Sequence, residues 1–202
     1  MPRRATLLQK AISISDVAEY HRDAELSLRL YFTSGNPSFI ARFAGYTPSE
    51  VQEELADRLG ETDMRSALAI MTRIEAAFRI DYLQRCKRKG ADGVSVAFRR
   101  LHRSYGHIYW RVPLEKGIFE TWRTVHPGTS SLVGELKGAF RFRHWLAHGR
   151  YFRPKLAQKY DYQGLYLLAL NVLAQFPLFP ENAWQERVLS SRGSVRNDHL
   201  RT

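Results

Sequence analysis

The sequence has almost no cysteine: Cys86 is the only one among 202 residues. A single thiol cannot form an internal disulfide, and it leaves no second thiol for a structural zinc cluster. Disulfides persist in oxidising compartments and are rare in the cytosol. We therefore expect a cytoplasmic protein whose fold depends on a hydrophobic core.

Long hydrophobic runs are also missing. The most apolar segment, GLYLLALNVLAQFPLF at residues 164–179, is interrupted by Asn171, Gln175 and Pro177. It falls short of the roughly 20 apolar residues that span a bilayer, so it predicts a buried helix and no membrane insertion. The opening residues, MPRRATLLQKAISIS, contain no apolar stretch long enough for a signal peptide, so we expect no export.

Acidic residues are too few to balance the basic ones, and the formal net charge is +11. An excess of lysine and arginine favours a polyanionic partner, because binding releases counterions from phosphate backbones. Nucleic acid is the first candidate and an anionic membrane the second. Residues 47–63 carry six acids against one base, whereas residues 131–155 carry six bases against one acid. We expect the basic surface to centre on residues 131–155.

Helical patterns fill most of the chain, and strand-like alternation is weak. Thr47 and Glu50 form a capping box with proline at the first helical position, and we expect that helix to end at Gly60. The next helix has one apolar stripe and ends before Gly90 with basic residues in its last turn. The stripe consists of Ala67, Ile70, Met71, Ile74, Ala77 and Phe78.

Further helices are expected on both sides of this pair. One begins near Ser15, and the others cover about 94–105, 114–125, 130–153 and 163–176, while HIYWRV at 107–112 could be a short extended piece. These segments predict an all-α fold, a compact helical bundle that forms a single domain over residues 1–184. The polar, basic segment 185–202 predicts a short, flexible and disordered tail.

The densest group of cationic and titratable residues lies in GAFRFRHWLAHGRYFRPK, residues 138–155. A helix turns by about 100° per residue, so residues spaced alternately by four and three positions lie on one face. Five basic or polar residues in and next to this segment have that spacing and form one stripe. Bulky apolar residues on both flanks would hold the helix against the core. The stripe comprises Lys137, Arg141, His144, His148 and Tyr151.

Three interpretations of the two histidines are open, and the first is that they are ordinary residues on a solvated basic face. The second is a zinc site, since histidines four residues apart on a helix can bind one ion. However, no glutamate follows the first histidine, no cysteine cluster exists and the nearby cations oppose a dication, so we expect no metal or other cofactor. The third interpretation is chemistry on RNA.

Cleavage of RNA without a metal needs a base for the ribose 2′-hydroxyl, an acid for the leaving 5′-oxygen and a group that stabilises the phosphorane. Histidine suits the proton transfers because its ordinary pKa lies near neutrality. Arginine suits the charge because its planar fork donates two hydrogen bonds to phosphate oxygens. The catalytic candidates are Arg143, His144 and His148, and the candidates for contacts with substrate are Lys137, Arg141, Arg150 and Tyr151.

The motif RHWLAH, Arg143 to His148, resembles the R-x4–6-H motif of the HEPN superfamily. In that motif an arginine is followed by a small polar residue or histidine, and the closing histidine is catalytic. Arg143 would match the motif arginine, His144 the polar second position and His148 the catalytic histidine. The ending LAHG and the apolar helix after it are also typical of the family.

The resemblance implies a compact α-helical bundle. Many members are metal-independent endoribonucleases that act as toxins or in antiviral defence, and they commonly form dimers in which two motifs face one cleft. We therefore expect a homodimeric endoribonuclease that cleaves RNA by attack of the 2′-hydroxyl and leaves a 2′,3′-cyclic phosphate, with a cognate antitoxin protein if it is a toxin. The alternative is a non-catalytic helical module that binds nucleic acid or a partner protein through the same basic face, since some members lack activity.

One acidic residue outside the motif bears on it. Glu75, in the segment RIEAAFRIDYLQR, could orient Arg143 or His148. The spacing instead favours an i,i+4 surface pair between Glu75 and Arg79.

Overall fold

The computed structural model describes residues 12–88, 90–151, 155–156 and 158–179. These residues form seven α-helices and no β-strand, so the all-α prediction is confirmed. The segment Gly106–Arg111, considered above for an extended piece, forms a 3₁₀-helix. The expected tail, 185–202, lies outside the described residues. The helices are α1 (Ile14–Tyr31), α2 (Phe39–Arg42), α3 (Pro48–Arg88), α4 (Gly93–Tyr105), α5 (Glu120–Val125), α6 (Ser130–Ala147) and α7 (Tyr162–Gln175).

Helix α3 is longer than the sequence predicts. Its capping box is present: Thr47 N–H donates to the Glu50 carboxylate at 2.7 Å, and Glu50 N–H donates to the Thr47 hydroxyl at 3.3 Å. The predicted end at Gly60 is wrong, because α3 continues over 41 residues to Arg88. A glycine inside a helix costs only about 1 kcal/mol relative to alanine, and burial of the next turns outweighs that cost. The buried positions there include Ala67, Ile70, Met71 and Ile74.

Helix α6 is shorter than predicted. It ends at Ala147 rather than at residue 153, and His148 is its C-cap. Gly149 follows in the left-handed region with a φ of 82°, and Arg150 N–H donates to the Trp145 carbonyl at 3.3 Å. A left-handed glycine with this 6→1 hydrogen bond is the Schellman motif that ends many helices. The regular stripe of α6 therefore stops before residue 151.

The described chain divides into two compact units, each assembled from segments that are distant in the sequence. The unit that carries the histidines, here called the motif unit, contains residues 12–75 and 128–175. It comprises α1, α2, the first part of α3, α6 and α7. Helix α6 supplies much of its core, with Leu132, Val133, Leu136, Ala139, Phe140 and Phe142 buried.

Contacts around His21 join three helices of the motif unit. The His21 ring of α1 stacks on Tyr162 of α7 with ring centroids 3.8 Å apart. Its Nδ1 lies 3.0 Å from the Ser66 hydroxyl of α3. These contacts connect α1 to both α7 and α3 within the motif unit.

The second unit, in its described part, contains residues 76–127 and 176–179. Its centre is the buried guanidinium of Arg85, which donates to the Asp81 carboxylate at 2.8 and 3.0 Å and to the Pro177 carbonyl at 2.6 Å. Burial raises the pKa of Asp81, although the Phe179 N–H and Arg85 oppose the rise. Aromatic side chains fill the rest of this core, including Phe78, Phe98, Phe119 and Trp122.

No helix within the described residues is long and apolar enough to cross a membrane. The single domain that the sequence suggests for residues 1–184 stays a prediction.

Candidate functional site at the end of α6

The motif residues occupy the last turn and the C-cap of α6, in the motif unit. His144 and His148 are exposed, and the Arg143 side chain is 31% exposed. Of the other residues expected to face a polyanion, Arg141, Arg150 and Tyr151 are exposed and Lys137 is half-buried. The helix thus presents its basic stripe to solvent while the opposite face supplies the core.

The two histidine side chains lie against each other. Their ring centroids are 4.1 Å apart and the ring planes meet at 50°. The backbone supports this arrangement, because the N–H of the C-cap residue His148 donates to the His144 carbonyl at 3.1 Å. Two imidazoles at this separation can both reach one small bound group.

The arginine of the motif is oriented by a carboxylate of α3. Arg143 Nη2 lies 3.3 Å from Glu75 Oε2, and the Glu75 side chain is 22% exposed. The sequence spacing favours a pair between Glu75 and Arg79 over this contact, but the structure shows that Glu75 does reach Arg143. The Nε of Arg143 is buried and makes no hydrogen bond within the described part of the chain. The guanidinium is held by a carboxylate and is still partly exposed, so it can donate to an anionic oxygen from its accessible edge.

A second arginine, just beyond the histidines, is also held by α3. Arg150 Nη1 lies 2.7 Å from Glu61 Oε2 and 2.8 Å from Met64 Sδ. The hydrogen bond from Arg150 lowers the pKa of Glu61. Sequence reasoning assigned Arg150 to substrate, but in this structure its guanidinium contacts protein side chains.

Aromatic rings pack on the flank of α6 next to the motif. Phe142 stacks on Trp145 and on Tyr160, with ring centroids 5.6 and 5.7 Å apart. Tyr160 approaches α6 at Gly138, where a Cβ atom would collide with the Tyr160 hydroxyl. A side chain at position 138 would therefore displace the Tyr160 ring, which packs on Phe142.

No three His, Cys, Asp or Glu side chains converge on a position for a metal ion in the described residues. His144 and His148 therefore have no carboxylate or thiol among those residues that would complete a metal site with them.

A second feature of the motif unit was not predicted from the sequence. A cleft of about 600 Å³ lies among α1, α3 and α7, and its lining includes His21, Asp63 and Tyr162. Burial raises the pKa of Asp63, which His21 opposes and the carboxylates of Glu25 and Asp161 reinforce. Its residues come from three distant segments, so no local spacing in the sequence could have indicated the cleft.

The chain matches no protein-family model, no curated protein and no solved structure. The assignment of a function therefore depends on the residues and distances described above.

Proposed function

We propose that this chain is a HEPN-type endoribonuclease that cleaves RNA without a metal ion and acts in the cytoplasm as a toxin or defence enzyme. The observation that carries the proposal is the pair of imidazoles 4.1 Å apart at the exposed end of α6, next to an arginine oriented by Glu75. The net charge of +11 and the basic stripe on α6 support RNA as the substrate.

The reaction requires three groups, and the motif supplies each of them. One imidazole removes the proton of the ribose 2′-hydroxyl, whose oxygen then attacks the adjacent phosphorus. The bond from phosphorus to the 5′-oxygen breaks as an acid donates a proton to that oxygen, which leaves a 2′,3′-cyclic phosphate and a 5′-hydroxyl. We assign proton transfer to His148 with assistance from His144, and stabilisation of the phosphorane to Arg143.

Binding of the RNA strand would extend from this centre along the basic residues of α6. Arg141 and Lys137 lie one and two turns before His144, where they can neutralise successive phosphates. Tyr151 is 82% exposed, and we assign it to stacking on an unpaired base.

The direct test is cleavage of total RNA by the purified protein in EDTA. We expect products with 2′,3′-cyclic phosphate ends, and loss of cleavage in the His148→Ala variant. His126→Ala is the matched control, because His126 is an exposed histidine outside the motif unit. Activity that disappears on chelation and returns with Mg²⁺ or Zn²⁺ would contradict the mechanism, as would full activity of His148→Ala.

Arg143→Lys separates an enzyme from a binding module. Lysine keeps the positive charge but loses the planar fork, so binding of the transition state should weaken more than binding of the ground state. We expect RNA affinity within a few-fold of wild type and a single-turnover rate lower by about two orders of magnitude, the scale seen when one transition-state donor is removed. Small, equal effects on affinity and rate would instead support the non-catalytic module that binds nucleic acid or a partner protein.

We also propose that the active form is a homodimer in which the ends of two α6 helices face one cleft. One protomer offers few groups for two proton transfers and charge stabilisation, and a two-fold axis doubles them. Sedimentation velocity at micromolar concentration should give a dimer. A monomer that cleaves at full specific activity would contradict this assembly. If the enzyme is a toxin, a cognate antitoxin protein is a further partner.

A further inference from the structure

The turn after α6 has an unusual backbone. Gly149 and Arg150 both lie in the left-handed region, with φ of 82° and 57°, and Arg150 is the one residue other than glycine with positive φ among those the structure describes. This region suits glycine but is disfavoured for a residue with a Cβ. A left-handed arginine therefore needs contacts that hold it there.

Two contacts of Arg150 provide that hold. Its N–H donates to the Trp145 carbonyl at 3.3 Å, which closes the turn on α6. Its Nη1 meets Glu61 at 2.7 Å, and this ion pair connects positions 89 residues apart in the sequence. The other oxygen of Glu61 lies 3.3 Å from Nε of Arg65, one helical turn further along α3, which restrains the carboxylate from the opposite side.

This turn directly continues from His148. Only Gly149 separates His148 from Arg150, and a glycine can adopt many backbone conformations at little cost. If the Glu61 contact were lost, Arg150 could leave the left-handed region and the C-cap backbone of His148 could follow. The His148 ring would then no longer be held in the single position in which it packs on the His144 ring.

We infer that Arg150 is a positioning residue which, through its ion pair with Glu61, holds His148 against His144. The inference rests on the proposed function in one respect: it matters for cleavage only if His148 transfers a proton. It assigns Arg150 to the scaffold of the site, whereas its cationic character alone suggested a phosphate contact.

The first measurement needs no RNA. In Glu61→Gln the carboxamide keeps the size of the side chain but loses the charge, and Arg150→Ala removes the guanidinium while keeping the Cβ that disfavours the left-handed region. Both variants should shift or broaden the ¹³C–¹H ring signals of His148 and His144, with the His148 signal identified by its absence in His148→Ala. Glu25→Gln is the matched control, since it breaks an exposed ion pair to Arg29 of the same 2.7 Å length on α1. Histidine signals that stay unchanged in Glu61→Gln would overturn the inference.

The second measurement is single-turnover cleavage. Displacing His148 should lower the rate in Glu61→Gln by about ten- to a hundredfold, the range for a misplaced catalytic group, with RNA affinity within twofold of wild type. The doubly exchanged variant, Glu61→Arg with Arg150→Glu, restores an ion pair and should recover most of the rate. If Arg150 contacted phosphate directly, a glutamate at that position would repel RNA and the exchange would worsen the defect.

The two proposals fail in different ways. If the wild-type protein does not cleave RNA, the proposed function falls, while the histidine signals still decide whether Glu61 positions His148. If cleavage is present but both Glu61→Gln and its exchange partner behave as wild type, only the positioning role is wrong.

Discussion

Two glycines that look alike in the sequence have opposite roles in the fold, and alanine substitution should separate them. Gly60 lies inside α3, and Gly149 lies at φ of 82° just after α6. A Cβ added at either position meets no atom within 4 Å, so the new methyl group gains and loses no packing. The change in stability therefore comes from the backbone alone.

The expected magnitudes follow from those conformations. Inside a helix, glycine is about 1 kcal/mol less favourable than alanine, so Gly60→Ala should stabilise the fold by about that amount. In the left-handed region, a residue with a Cβ is disfavoured by about 1–2 kcal/mol, so Gly149→Ala should destabilise it. Both changes lie in the motif unit, so they are compared in the same part of the fold.

Urea unfolding followed by far-UV circular dichroism is the assay. For a slope of about 2 kcal/mol per molar urea, the midpoint should rise by about 0.5 M for Gly60→Ala and fall by about 0.5–1 M for Gly149→Ala. Gly134→Ala is a control inside α6 that also meets open space, and it should behave like Gly60→Ala. A lower midpoint for Gly60→Ala would mean that α3 ends at residue 60, and a higher one for Gly149→Ala would mean that α6 continues past His148.

Two further predictions concern a partly buried thiol and a buried ion pair of the second unit. Burial raises the pKa of the Cys86 thiol to about 11, so its thiolate is scarce at pH 8. Alkylation by iodoacetamide at that pH should be about a hundredfold slower in the native protein than in urea, and the native rate should climb as the pH approaches 11. Arg85→Met leaves the Asp81 carboxylate buried without its partner, which should destabilise the fold by about 3–5 kcal/mol. Burial raises the pKa of Asp81, and the destabilisation in Arg85→Met grows with the fraction of Asp81 that is ionised. The urea midpoint should therefore fall less at pH 5 than at pH 8. Adding Asp81→Asn should reduce the loss further, because it removes the unpaired charge.

Much of the fold was predictable because helices leave local signals. The capping box of Thr47 and Glu50, the apolar stripe of α3 and the periodicity of α6 all depend on residues within a few positions of each other. The two errors, at Gly60 and Gly149, come from a signal that is local but ambiguous. A glycine ends a helix only if the following residues gain nothing by continuing it. The residues after Gly60 bury an apolar stripe, whereas only residues 150–153 lie between Gly149 and the proline at position 154, which disfavours a helix before it.

The candidate site also contains features that local sequence spacing predicts and features that only the tertiary fold determines. Helical spacing alone brings His144 and His148 together, and it predicts that Arg141 shares their exposed face. It does not indicate Glu61 at all, and it offers Glu75 only as the less favoured partner of Arg143, because the contacts of these two residues depend on the tertiary fold. Arg150 illustrates the difference: its charge is visible in the sequence, but its left-handed backbone and its carboxylate partner exist only in the folded chain.

The acidic and basic segments of the sequence, 47–63 and 131–155, are therefore not independent surfaces. Glu61 from the first pairs with Arg150 from the second, and Glu75 pairs with Arg143. In a protein that only binds a polyanion, pairing arginines with carboxylates would reduce affinity. An arginine that is already paired neutralises less phosphate charge, so fewer counterions leave the polyanion. For an enzyme the same pairing is useful, because a guanidinium held in one orientation favours the transition state over the ground state and loses no freedom when the reaction begins. The two ion pairs therefore suit the endoribonuclease proposed above better than they suit a module that only binds RNA.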